Sequence, residues 1–131
     1  MRIVFSSLVI GLMTFGQPVI AQADDALLKK GEKVFKKCKA CHQVGEKAKN
    51  TVGPVLNGVA GRKAGAVEGY KYSKAMIAAG EGGLVWDDAN LDGYLAQPKK
   101  FIPKNKMSFV GLKKEKDRAA VIAYLKQFEA Q

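Results

Sequence analysis

Five consecutive residues, Cys38-Lys39-Ala40-Cys41-His42, contain both cysteines of the chain and its sole histidine. No other feature limits so tightly what can be built. A structural disulfide is the ordinary fate of two cysteines in an exported chain, but across two intervening residues it would close a very small loop and leave the histidine without a part. A zinc site of this spacing needs further Cys or His ligands, and the sequence has none left to offer. A thioredoxin-like dithiol belongs beside a βαβ pattern, which is missing. The chemistry that remains is covalent attachment of haem, for which Cys-x-x-Cys-His is the signature. Each thiol can add across one vinyl group while the adjacent imidazole turns a ring nitrogen toward the iron.

The start of the chain points to export. Arg2 is the only charge before Asp24, Ile3 to Met13 is mostly apolar, and Ala21-Gln22-Ala23 precedes Asp24 and Asp25. That order is the one a secretory signal peptide shows, with cleavage expected after Ala23. Ser6, Ser7, Gly11, Gly16 and Pro18 interrupt the run, leaving it short of the ~20 apolar residues of a spanning helix. The expected organisation is a signal peptide over 1–23 and one domain over 24–131, located in the periplasm. With 22 Lys+Arg against 12 Asp+Glu the formal net charge is +10. A balance this basic suits nucleic acid, anionic membrane or an acidic protein partner, and export sets the first aside.

Helical periodicity is broken by long irregular stretches. Leu27, Gly31, Val34, Phe35 and Cys38 recur at spacings of three and four, which predicts an amphipathic helix from Ala26 to Lys39 with Asp24 and Asp25 at its N-terminus. From Gln43 to Gly69 no period persists, and Gly53-Pro54, Asn57-Gly58, Gly61 and Gly65 read as turns. Ser73 is placed to cap a short helix through Ala79 that Gly80 ends. Asp87 caps another, with Trp86 and Leu91 as a hydrophobic staple, Leu91, Tyr94 and Leu95 as its buried stripe, and Pro98 as its stop. Lys99 to Leu112 reads as loop, and Lys114 to Phe128 as a last helix burying Val121, Ile122, Leu125 and Phe128. The class is all-α, with short helices and loops that supply little continuous core. A haem at the centre would complete it.

A second iron ligand follows by elimination. With one histidine in the chain, a second imidazole is excluded, and beyond the expected cleavage point only Met76 and Met107 carry a thioether. Met107 sits in the irregular, proline-stiffened run Ile102-Pro103-Lys104-Asn105-Lys106-Met107-Ser108-Phe109, a setting suited to presenting a side chain. Met76 falls on a predicted helix, where packing is the ordinary role of methionine. The expected metal ligands are therefore His42 and Met107, and a thioether raises the haem potential.

From Gly31 to Phe128 the chain resembles class I cytochrome c. The resemblance rests on Gly31-Glu-Lys-Val-Phe35, the Cys38 to His42 site, Gly53-Pro-Val-Leu-Asn-Gly-Val-Ala-Gly-Arg62 and Tyr72. It continues through Trp86, Tyr94-Leu95 with Pro98, Pro103-Lys-Asn-Lys-Met107-Ser-Phe109, and Tyr124-Leu125. With the apparent leader, it is similar to bacterial periplasmic members of the c2 type. The resemblance implies the small class I cytochrome c fold around one haem c held by Cys38 and Cys41. It further implies that Pro54 offers its carbonyl to His42, that Arg62, Tyr72 and Trp86 surround the haem propionates, and that Tyr94 and Phe109 line the Met107 side. Gly31 and Phe35 would pack against Tyr124 and Leu125. Two departures stand near the haem: Met76 where mitochondrial members usually carry Asn, and Asn105 in place of a Thr, which puts one propionate hydrogen bond in doubt.

The function expected is one-electron transport between respiratory or photosynthetic complexes, with no catalysis. The rival is a haem peroxidase or gas sensor with a displaceable sixth ligand. Lys37, Lys39, Lys99, Lys100, Lys104 and Lys106 are candidates for a basic ring that steers a monomer onto acidic surfaces. Such surfaces belong to a bc1-type quinol-oxidising complex, a terminal oxidase, a photosynthetic reaction centre or a periplasmic dehydrogenase.

Overall fold

The computed structural model describes the backbone of residues 19–130 and the side chains of residues 24–130. Most of the leader expected over 1–23 lies outside these residues. The order is α1 (Val19–Phe35), α2 (Lys74–Glu81), α3 (Asp88–Ala96), α4 (Pro98–Phe101) and α5 (Glu115–Leu125). Among the described residues the only β pairing is an isolated antiparallel bridge between Lys63 and Val85, so the all-α class holds. No described helix is long and apolar enough to cross a membrane.

The first and last helices cross at a glycine. A Cβ at Gly31 would collide with the Ala120 carbonyl and lie 2.6 Å from Cβ of Tyr124, so the missing side chain is what lets α1 and α5 approach. Beside that contact Phe35, 1% exposed, stacks at a tilt on Tyr124 with ring centroids 5.4 Å apart, a geometry favoured by the aromatic quadrupole. Lys30 and Asp117 bridge the same pair of helices at 3.0 Å. Helix α3 is tied to α5 by Arg118 and Asp92 at 2.6 Å.

Local capping follows the sequence closely. The Ser73 hydroxyl accepts the Met76 N–H and the Asp87 carboxylate accepts the Asn90 N–H at 2.8 Å, each satisfying a donor that the first helical turn leaves open. Trp86, Leu91 and Tyr94 are buried as expected.

Five expectations need correction. Helix α1 stops at Phe35 and not at Lys39, because the chain tightens there into i to i−3 bonds from Lys37 N to Val34 O and from Cys38 N to Phe35 O. Asp24 and Asp25 fall within α1, and Leu27 is 38% exposed. Gly80 lies inside α2, buried against the Ala64 carbonyl, and Gly82 is the cap. Pro98, expected only as a stop, also opens the single turn of α4, since a proline at the first helical position forfeits a bond that is unmade anyway.

The long connection between α1 and α2 is irregular but bonded. Gly61 N donates to Trp86 O and Trp86 N to Arg62 O, both at 2.8 Å, stitching the loop to the segment before α3. Buried Asn57 clamps it elsewhere, accepting from Gly45 N and donating to Gly45 O. Loop and helices enclose one apolar cluster that includes Val34, Phe35, Val59, Trp86, Leu91, Val121 and Leu125.

Candidate haem site

The end of α1 turns the motif inward. His42 N donates to Cys38 O at 2.9 Å, closing one further turn after the helix, and the chain then runs back so that Gly53 N donates to Cys41 O at 2.8 Å. This return brings Pro54 beside the histidine, whose Nδ1 donates to the Pro54 carbonyl at 2.7 Å. A carbonyl can only accept, so the proton sits on Nδ1 and the lone pair on Nε2. Burial holds the His42 pKa below its ordinary value, the Pro54 bond opposes that shift, and the Arg62 charge adds to it. The imidazole is neutral at neutral pH, the form that binds metals.

Cys38 and Cys41 are both free thiols, half-buried. Burial, reinforced by Cys41, pushes the Cys38 thiol up to about 11. Before haem is attached it is therefore a protonated thiol rather than an exposed nucleophile, unlike the lowered thiols of redox enzymes.

These side chains open onto a cavity of about 380 Å³, within the usual range for ligand pockets. Cys38, Cys41, His42, Pro54, Arg62 and Tyr72 line it together with Trp86, Tyr94 and Met107, so every site residue expected from the sequence meets there. Leu56, Val59, Leu91, Leu95, Val121 and Leu125 supply apolar walls. Met76 also lines the cavity while packing on the core, in keeping with a packing role.

On the Met107 side, Tyr94 Oη donates to Met107 Sδ at 3.7 Å. Burial raises the Tyr94 phenol to about 12, so it stays a donor. Tyr94 in turn packs on Trp86, centroids 4.9 Å apart. Phe109 is half-buried along the same wall. The Asn105 amide bonds to backbone groups of its own loop and to the Pro98 carbonyl at the start of α4.

Arg62 decides the polarity of one end. Its Nη1 donates to Val55 O and Asn57 O at 3.2 and 3.0 Å, while its Nε is buried without a partner. Burial lowers its pKa, the cost of a charge without a counter-charge. The Tyr72 hydroxyl accepts from Val67 N at 3.1 Å and keeps its own proton to give. Two thiols, a neutral imidazole, a thioether, apolar walls and an orphaned guanidinium N–H fit an apolar iron macrocycle that carries acidic groups.

Gly53 is the residue that sequence reasoning passes over. A Cβ there would stand 2.5 Å from His42 Cε1 and 2.7 Å from Nδ1, so only glycine lets the backbone lie against the ring. The glycine before Pro54 reads as a turn, and nothing local reveals its second purpose. The six lysines expected to form a ring are all exposed. Lys37 and Lys106 reach the cavity lining, Lys106 lies 4.7 Å from the Tyr70 ring centroid and donates to Lys71 O, and Lys99 donates to Asn105 O.

Comparison with known proteins agrees. The cytochrome c family model matches residues 28–129. Cytochrome c2 of Afifella marina is 54% identical over 103 residues, covering 79% of this chain and 83% of its own. Cytochrome c-554 of Methylosinus trichosporium is 52% identical over 118 residues, covering 90% and 84%. Among solved structures, cytochrome c2 from Rhodospirillum centenum superposes with a TM-score of 0.74 at 46% identity, over 79% of this chain and 98% of that one. The chain belongs to the cytochrome c family, as a class I protein of the c2 type that carries electrons on haem c and is not an enzyme.

Proposed function

We propose that the haem iron is ligated by His42 and Met107, and that the protein shuttles single electrons in the periplasm after removal of residues 1–23. Haem c supplies a one-electron iron couple. The chain's contribution is to hold, orient and insulate. Cys38 and Cys41 anchor the group, so a domain with so little core cannot lose it. The Pro54 carbonyl holds the His42 ring in one tautomer and raises its basicity. Tyr94 orients the Met107 sulfur, and Arg62 with Tyr72 and Trp86 receives the propionates. The apolar walls exclude water, which keeps the surroundings of the two oxidation states alike.

The observation that carries this reading is that the two candidate ligands, each braced by a hydrogen bond, line the same apolar cavity. The brace on Met107 also opposes the enzyme or sensor alternative, which requires a vacated position. Docking would use the basic face, with Lys37 and Lys106 at the cavity rim, against the acidic surfaces of a quinol-oxidising complex, terminal oxidase, reaction centre or periplasmic dehydrogenase. Substituting each methionine in turn tests the ligand assignment. Met107→Ala should abolish the far-red sulfur-to-iron band of the ferric protein and lower its potential, and Met76→Leu should keep the band. The opposite pattern would move the ligand to Met76.

A further inference from the structure

The arm that carries Met107 is held by a side chain rather than by a helix. Asn105 N donates to Ile102 O at 3.2 Å, closing a four-residue turn with Pro103 second and Lys104 third. Lys104 has φ 65, in the left-handed region that bulky residues rarely occupy. Proline followed by a positive φ is the pattern of a type II turn, whose third position favours glycine or asparagine. A lysine there needs support beyond the turn's own backbone bond.

Asn105 provides that support from within the core, at 3% exposure. Its Nδ2 donates to Pro98 O at 2.8 Å and to Ile102 O at 2.7 Å. Its Oδ1 accepts the backbone N–H of Met107 at 2.8 Å. The Asn105 carbonyl meanwhile accepts from Lys99. One planar amide thus joins the start of α4, the start of the strained turn and the backbone of Met107. No other side chain of this size offers two donors and an acceptor in one plane: a carboxylate lacks the donors, and a hydroxyl has one.

We propose that Asn105 is the positioning residue for Met107, and that its amide sets how readily the thioether gives up the iron. This rests on the reading of Met107 as the sixth ligand. The departure at this position then trades a hydrogen bond to the haem for a brace on the ligand arm.

The test uses the haem-loaded protein and two readouts: the rate at which added imidazole captures the ferric iron, and the exchange of the Met107 amide proton in the ferrous state. Asn105→Ala should accelerate both by about tenfold or more, since all three side-chain hydrogen bonds of Asn105 are lost, with covalent haem and far-ultraviolet circular dichroism unchanged. Asn105→Asp, which keeps the acceptor and loses both donors, should move them in the same direction and carries the test if the alanine variant does not fold. Lys104→Gly relieves the strained φ without touching the amide and should accelerate neither. Both Asn105 variants within about twofold of the unaltered protein, or Lys104→Gly as fast as Asn105→Ala, would overturn the assignment. An unaltered protein without the far-red sulfur band would instead overturn the Met107 reading, and this one with it.

Discussion

His42 Nδ1 donates its proton to the carbonyl of Pro54, twelve residues away, at 2.7 Å. The intervening loop therefore exists in part to return a carbonyl to the imidazole. Gly53 is the residue that permits the return, since a Cβ there would press on the ring. Gly53→Ala should push the imidazole from its place or the loop from the imidazole. The expected cost is about 1–3 kcal/mol, the usual range for overpacking a filled site. Chemical denaturation of the haem-loaded protein, with its potential measured alongside, checks both consequences.

Tyr94→Phe removes the hydrogen bond to the Met107 sulfur and leaves the packing on Trp86 in place. A donor on the thioether draws electron density from it, so losing the donor should lower the midpoint potential. Stability should change by no more than about 1 kcal/mol, because sulfur is a weak acceptor. Protein-film voltammetry and thermal melts read the two effects separately.

The α1–α5 crossing should show a pH-dependent contribution at its ion pair. The bond from Lys30 holds the Asp117 carboxyl below its ordinary value of 3.8, with further help from the charges of Lys114 and Lys37. A carboxylate whose folded pKa is depressed stabilises the fold above its unfolded pKa, and that contribution is lost as the pH falls through the lowered value. Lys30→Met keeps much of the apolar stem and removes the charge. The Asp117 titration followed by NMR should then rise toward 3.8, and the melting temperature of the variant should converge on that of the unaltered protein in acid.

Capping and chemistry are legible in the sequence for the same reason: both are local. Ser73 and Asp87 announce their helices because each bonds an N–H three residues on. Cys38, Cys41 and His42 form one short string, and Met107 emerges because so few sulfurs compete with it. Tertiary contacts decide the rest. Helix α1 ends at Phe35 although its apolar period runs on to Cys38, because the chain must turn the motif toward the cavity. Leu27 has the right phase for the core but remains 38% exposed. Gly53 and Asn105 look like turn residues, and their purposes appear only once His42 and Pro98 are placed against them.

Lys104 and Lys100 are exposed, so they are available to a partner. Replacing both by glutamate should slow association with an acidic redox partner and flatten the dependence of that rate on ionic strength, since rim charges act chiefly on encounter. Stopped-flow oxidation by a purified terminal oxidase or photo-oxidised reaction centre measures it. Unchanged rates and salt dependence would remove these two lysines from the docking face.

The most direct test of the whole account is the absorption spectrum of the full chain matured with the haem-attachment machinery. Haem should survive acid extraction because Cys38 and Cys41 hold it, and a weak far-red band, the mark of sulfur bound to iron, should be present in the ferric state and disappear on reduction. Haem that is extracted, or retained haem without that band, would contradict it.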